Sequence, residues 1–354
     1  MRLPSTFTMR SDLRAPGASQ ISGHTAPGGA IQSCFIAFSA IQKSATVSQS
    51  LPFLASRQSI VARSTRAMLL PLIEYPFHAT ISGESEGTAT MTKKAFDPAG
   101  KHLPFKLGKT PARPGAVKFK MMTYLRKLEL PTPPKVFGHQ GLIGAKWGML
   151  GNDDYGDCVW AGAAHETMLW NKEAAKTASF NNKSVLSDYS AVTGFKPSDP
   201  NTDQGTDMQV AASYRRKKGV LDAAGKRHKI GAYLALKPGD IDQLALAIYL
   251  FGATGIGIKF PGSAMDQFKA GKPWSVVPGA KIEGGHYIPG LGRDKNGNIV
   301  IVTWGKIQLM TPAFYEKYCD EVVAYVSKEC LRGDKSLEGF DYSQLFGDLK
   351  SLST

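Results

Sequence analysis

Cys158 is the residue of this chain best placed for covalent chemistry. It follows a polar, glycine-bearing loop, Gly151-Asn152-Asp153-Asp154-Tyr155-Gly156-Asp157, and opens a helix-like segment, Val159-Trp160-Ala161-Gly162-Ala163-Ala164-His165. A thiol at a helix N-terminus faces unpaired backbone N–H groups and the positive end of the helix dipole, and both favour the reactive thiolate. Asp157 is expected to be the N-cap, its carboxylate accepting from first-turn N–H groups. It also sets a negative charge beside the sulfur, which opposes the thiolate.

A nucleophilic thiol needs a base within hydrogen-bond reach. His165 is excluded by geometry: seven residues on, it shares a helix face with Cys158 but sits about 10 Å up the axis. His286 is the stronger candidate. It lies in Gly284-Gly285-His286-Tyr287-Ile288, where two glycines let another element approach closely.

These groups must be brought together by the elements around them. The helix from Cys158 is expected to run to about residue 176, with Trp160, Ala164 and Met168 as an apolar stripe. A short helix is expected over 185–192. A second, capped by Asp207, should run to about Lys218 and stop at Gly219. Beyond Val220 the pattern turns strand-like at 229–236, then helical at 241–251, then strand-like again at 255–260. His286 opens a further strand. Lys295-Asn296-Gly297-Asn298 is a hairpin signal before the apolar Ile299-Val300-Ile301-Val302-Thr303-Trp304-Gly305. Residues 320–327 read as a last strand. A helical half thus precedes a β-rich half, and the thiol and the imidazole fall on different halves.

With these residues in view, the sequence resembles the papain-like cysteine peptidase superfamily over about 132–325. The family pattern places a glycine two residues before the catalytic cysteine, as Gly156 stands here, and a tryptophan immediately after it, where this chain has Trp160 two residues on. The oxyanion-hole glutamine falls near Asn152, a shorter amide. His286 and Trp304-Gly305 match the downstream His and Trp-Gly. The asparagine that orients the histidine falls at Val302, which cannot hydrogen-bond, so Thr303, Asp294 or a backbone carbonyl would have to take that role, with Trp304 in support. The resemblance implies an α+β, papain-like two-lobed fold: a helical lobe with a central Cys-bearing helix plus an antiparallel β-rich lobe. It implies Cys158, His286 and Asn152 as the catalytic set. Gly205 and Gly285 become candidate contacts for a peptide or other amide substrate.

The chain has 354 residues and a net charge of +14. Residues 1–90 hold seven Lys/Arg against four Asp/Glu. They are read as disordered, either a leader or a wrongly extended reading frame ahead of Met91; a start at Met91 would favour the cytoplasm. Residues 91–137 read as an extended basic, proline-rich arm with a short helix near 121–128. Residues 138–330 form the folded domain and 331–354 a polar tail. The four cysteines show no CxxC spacing, so no zinc site and no cofactor are expected. Cys319 and Cys330 read as buried small hydrophobes, with pairing the alternative. No uninterrupted apolar run reaches the ~18 residues of a membrane span. The basic runs Arg215-Arg216-Lys217-Lys218 and Lys226-Arg227-His228-Lys229 read as a solvated helix end and a loop; His139, His165 and His228 read as structural or surface residues. Three functions follow in order: a thiol amide hydrolase, a catalytically inactive papain-like domain serving binding or structure, and nucleic-acid binding through the basic runs.

Overall fold

The structure, a computed structural model, describes residues 103–125 and 129–351. Contacts divide the chain into Met1–Gly83 and Glu84–Thr354. The readings of residues 1–90, and of Met91 as a start, lie outside the described residues, as does Cys34.

The N-terminal part of the folded unit is helical. After α1 (Met121–Leu125) and the two-residue β1 (Phe137–Gly138) come α2 (Cys158–Glu173), α3 (Asn182–Thr193) and α4 (Met208–Lys217). Helix α2 is buried on nearly all sides, Trp160 and Ala164 included, rather than amphipathic. That burial rests on small residues: a Cβ at Gly162 would lie 2.4 Å from the Tyr287 ring. Helix α3 opens with a reciprocal capping box between Asn181 and Ser184. Helix α4 is capped by Asp207, which accepts from the Val210 N–H at 2.9 Å, and Gly219 follows it at a positive φ.

The C-terminal part is a sheet. Strands β2 (Val220–Leu221) and β3 (Arg227–His228) form a small hairpin, and β4 (Ala232–Ala235) begins the main sheet. Helix α5 (Ile241–Phe251) leads to β5 (Thr254–Pro261), and α6 (Gly262–Lys269) follows. Then come β6 (Ile282–Arg293), β7 (Ile299–Thr303), β8 (Lys306–Met310), α7 (Pro312–Tyr318), β9 (Cys319–Val326) and α8 (Ser343–Ser351). The main sheet runs β4-β9-β5-β6-β7-β8, with β1 added to β6, and each named pairing is antiparallel. The fold is α+β, with the helices first and the antiparallel sheet after them.

Several boundaries differ from the sequence reading. Helices α6 and α7 and strand β8 were not anticipated, because each is short and its apolar positions show no clear period. Residues 331–351, expected as a polar tail, are docked: Tyr342 and Leu345 are buried, and the Tyr342 hydroxyl donates to the Leu250 carbonyl at 2.6 Å. Leu331, Tyr342 and Leu345 anchor that otherwise polar segment to the fold, with Phe340 and Phe346 packed partly buried beside them. Cys319 and Cys330 are unpaired, the latter buried. The basic runs are partly spoken for as well. Arg215 is buried against Glu166 at 2.6 Å, and Arg227 pairs with Asp188. Among the described residues no helix is long and apolar enough to cross a membrane.

Candidate active site

Cys158 is the first residue of α2 and is 2% exposed. The backbone N–H of Val159 and, from the other part of the fold, that of Tyr287 approach its sulfur. Strand β6 therefore brings the residue next to His286 to the start of the Cys-bearing helix. Both N–H groups favour the thiolate, but burial outweighs them and pushes the thiol up to about 12.

The expected cap at Asp157 is absent. Its side chain makes no capping hydrogen bond, and both carboxylate oxygens are buried without a hydrogen-bond partner. Burial first, then the nearby Asp203, raises its pKa well above the ordinary carboxylate range. A desolvated carboxyl beside another carboxylate favours its protonated form, and what charge Asp157 carries pushes the neighbouring thiol further up. The loop is organised instead by Asp203. That residue accepts from the Gly156 N–H at 3.0–3.1 Å and from the Tyr189 hydroxyl at 2.5 Å, while Tyr189 in turn accepts from the Gly205 N–H at 2.9 Å. Neither Asp203 nor Tyr189 stood out in the sequence, because their partners are 47 and 16 residues away along the chain.

His286 lies within β6 and is fully buried. Its Nε2 hydrogen-bonds the Thr303 Oγ1 at 2.8 Å, and its ring stacks on Trp304 with centroids 4.5 Å apart and 15° between planes. Thr303 thus supplies the hydrogen bond to the ring that Val302 cannot. Asp294 is elsewhere, holding the β6–β7 turn by accepting from Asn296 and Asn298. The Nδ1 of His286 is buried with no hydrogen-bond partner, and burial lowers the imidazole pKa to about 3. Trp304 and Gly305 form the two-residue turn joining β7 to β8, both at positive φ (44° and 70°). Such a turn favours glycine or asparagine at its first position. A tryptophan there is strained, and contacts to His286, Phe105 and Phe268 over-determine it.

The site is not open. Residues 105–110 run through it as a strap. The Lys106 carbonyl accepts from the Asn152 side-chain amide at 3.3 Å and from the Trp304 indole N–H at 3.1 Å, and the Lys106 N–H donates to the Asn152 carbonyl at 3.2 Å. The N–H groups of Gly108 and Lys109 both reach the Gly285 carbonyl, at 3.2 and 3.0 Å. Across the strap the Thr206 N–H donates to the Gly108 carbonyl at 2.7 Å, and the Thr110 N–H to the Thr206 carbonyl at 3.1 Å. The glycines explain the fit. A Cβ at Gly205 would lie 2.2 Å from the Gly108 carbonyl oxygen, one at Gly285 2.2 Å from that of Lys109, and one at Gly108 1.8 Å from that of Gly156. Asn152, Gly205, Gly285 and Trp304 therefore converge on one length of peptide, and His286 stacks on the last of them. An extended arm packed over the domain was expected here; which of its residues enter the site was not, because in a basic, proline-punctuated arm Lys109 and Gly108 look like any solvated linker residues.

The other histidines among the described residues make structural contacts. His165 Nε2 contacts the Trp147 and Gly148 carbonyls at 3.1 and 3.0 Å, His139 pairs with Glu173 at 2.9 Å, and His228 pairs with Glu329 and Asp222 at 2.6 and 3.1 Å. Among the described residues no group of three His, Cys, Asp or Glu could hold a metal ion.

No family model and no curated protein matches the chain. In structure it is similar to several papain-like cysteine proteases at low identity. Xylellain, a cysteine protease from Xylella fastidiosa, is 15% identical over 65% of this chain and 98% of its own, with a TM-score of 0.47. The digestive procathepsin L 3 of Tenebrio molitor larval midgut is 13% identical over 61% and 75%, with a TM-score of 0.43. The Carica candamarcensis cysteine protease CMS1MS2 is 12% identical over 55% and 99%, with a TM-score of 0.41.

Proposed function

We propose that the chain is a cysteine-dependent amide hydrolase acting on peptides, with Cys158 as nucleophile, His286 as base and Asn152 as oxyanion donor. The observation that carries this reading is the strap itself. A peptide backbone already lies between the loop that leads into Cys158 and the strand that carries His286, gripped on both edges by main-chain hydrogen bonds, with one carbonyl on the Asn152 amide.

In the reaction, the Cys158 S–H proton passes to His286 Nδ1, the ring nitrogen left without a partner, as the sulfur attacks the amide carbon. The carbonyl oxygen becomes an oxyanion, held by the Asn152 amide and a backbone N–H at the start of α2. The tetrahedral adduct collapses by breaking the C–N bond. The leaving amine takes the proton from His286, and a thioester remains. Water then attacks the thioester, giving its proton to His286. Return of that proton to sulfur releases the carboxylic acid and restores the thiol. Thr303, bonded to Nε2, fixes the ring angle through both halves.

A second reading, an inactive domain used for binding, is favoured by one observation: burial holds thiol and imidazole both neutral, at about 12 and about 3. Those values belong to the covered site, so the test uncovers it. The full chain carrying Gly108→Leu is assayed on a fluorogenic peptide amide, with and without Cys158→Ala. Hydrolysis that vanishes with Cys158→Ala supports the hydrolase. Hydrolysis indifferent to Cys158→Ala, or none at all from a folded protein with an accessible thiol, overturns it.

A further inference from the structure

Lys109 is the most unusual residue of the strap. It is 1% exposed, and its ammonium meets four oxygens: both of Asp320 at 3.1 and 3.2 Å, one of Glu321 at 3.1 Å and the Thr110 carbonyl at 3.0 Å. A buried ammonium without such partners would be strongly unfavourable. The receptor for it exists because position 257 has no side chain. A Cβ at Gly257 would lie 2.2 Å from the Lys109 Cε, 2.7 Å from the Met208 Sδ and 2.8 Å from the Glu321 Cγ. The pocket is therefore a slot between α4, β5 and the start of β9, with an apolar wall for the lysine stem and two carboxylates at its end. It adjoins a cavity of about 500 Å³ lined by Lys109, Pro111, Pro114, Gly284, Gly285 and Asp320.

The slot is part of the site. The backbone that delivers Lys109 into it is the one pinned to Gly285 and Thr206, three residues from the carbonyl on Asn152. Arg113, three residues past the strap, is different in kind: it pairs with Asp207 at the surface, with its side chain 53% exposed. An exposed pair of that sort adds little, whereas a shaped, desolvated acidic slot discriminates between side chains.

Resting on the hydrolase reading, we propose that this slot selects a lysine or arginine side chain within about three residues of the bond cut, and that Lys109 is the chain's own occupant of it. A lysine supplies an unbranched stem with a point charge at its end, which the slot fits. A norleucine of the same length would leave both carboxylates desolvated and unpaired.

The test uses the full chain with Gly108→Leu and Lys109→Ala to empty cleft and slot, and Cys158→Ala to prevent turnover. The probes are fluorescein-labelled Phe-Lys-Leu-Gly-Lys-Thr and the same peptide with norleucine at its fifth position, and binding is read by fluorescence anisotropy. At least tenfold tighter binding of the lysine peptide is expected. That preference should disappear with Asp320→Asn and Glu321→Gln together, while the norleucine peptide keeps its affinity. Equal binding of the two peptides, or a preference that survives loss of both carboxylates, overturns the proposal. If the multiple variant does not fold, the single variant Lys109→Met answers the same question by protection of Cys158 from iodoacetamide. Protection by the lysine peptide alone supports the slot; equal protection by both, or by neither, overturns it. Hydrolysis is scored separately on protein retaining Cys158. Lysine-selective binding without hydrolysis defeats the hydrolase reading and leaves the slot. Hydrolysis without lysine preference does the reverse.

Discussion

Two neighbouring residues of β6 divide the molecule into two kinds of interior. Tyr287 points into the packed core and joins an ion pair there: its hydroxyl donates to Glu166 at 2.5 Å, and Glu166 lies 2.6 Å from Arg215. Arg215 also lies over the Tyr325 ring, 4.0 Å from the guanidinium carbon to the ring centroid. His286, one residue earlier and so on the opposite face of the strand, meets an interior that is equally dry but unfinished. Its Nδ1 and both oxygens of Asp157 have no hydrogen-bond partner. Buried polar groups are nearly always satisfied, so a cluster of exceptions marks a place whose proper partner is something other than the resident fold. The saturated face explains stability; the unsaturated one explains chemistry.

The sharpest break between them is made on the saturated side. Arg215→Met removes one member of a buried ion pair and leaves Glu166 uncompensated, for which a loss of about 3–5 kcal/mol is expected. Urea unfolding should show it as a lower midpoint. The double variant Arg215→Met/Glu166→Met should recover most of the loss, because both charges then go together. A large effect on Cys158 alkylation at equal folded fraction would show that the two faces are not separate.

On the unsaturated side the corresponding break is Gly108→Leu. Its Cβ falls 1.8 Å from the Gly156 carbonyl oxygen, a backbone atom that cannot step aside. The strap leaves, water reaches Cys158, and the burial that holds the thiol at about 12 is relieved. Iodoacetamide alkylation at pH 7 should accelerate about 100-fold or more, equivalent to roughly 2.7 kcal/mol in accessibility and ionisation. Mass spectrometry of the Cys158 peptide against time reads it directly. An unchanged rate means that the strap is not what covers the thiol.

What the sequence made legible follows the same division. Cys158, His286 and Gly285 stood out because a helix-start thiol after a polar loop and a Gly-Gly-His step are local patterns, whereas Asn152 and Gly205 were picked out by the resemblance alone. Partners that arrive from far away did not. Thr303 was one of three options for the orienting position, and only the β6–β7 register brings it to His286. Lys109 was invisible, since the slot that gives it meaning is built from Gly257, Met208, Asp320 and Glu321, more than ninety residues downstream. Asp157 was misread because an Asp before a helix is usually its cap, and here it lies buried near Asp203 instead. The basic run at 215–218 was misread at its first member, because a run of like charge says nothing about which residue turns inward.

Acid separates the faces by a third route. His286 is neutral when folded, with its pKa lowered to about 3 by burial, whereas an unfolded histidine titrates near 6.5. Between those values the unfolded chain binds the extra proton and the folded chain does not, so the contribution of His286 to stability falls as pH drops below about 6.5. Buried carboxyls such as Asp157 and Glu166, raised by burial, act in the opposite direction. The difference between wild type and His286→Phe isolates the histidine. Relative to that variant, wild type should lose about 2 kcal/mol between pH 7 and pH 5 in urea titrations. A pH-independent difference would place His286 in contact with water or an unrecognised proton acceptor.

The smallest expected effect tests whether the unfinished face is organised for a reaction or merely incomplete. Thr303 offers His286 Nε2 one hydroxyl at 2.8 Å, and Trp304 offers a stacking surface. Together they leave the ring one rotational setting, with Nδ1 as its free atom. In the Gly108→Leu background, Thr303→Val keeps the shape and removes the hydroxyl, so the ring can settle in the wrong tautomer. A fall of about tenfold in kcat is expected, with KM for a peptide amide nearly unchanged, because an orienting bond acts on the chemical step. Thr303→Ser should restore the rate, and the acid limb of the kcat profile should move in the valine variant alone. If valine and serine behave alike, the hydroxyl does nothing for the imidazole, and Trp304 stacking with strand geometry suffices to aim it. If both rates and the pH profile stay at the parent level while Cys158→Ala still abolishes hydrolysis, the proton leaves the thiol by another path and His286 is a core residue beside the site.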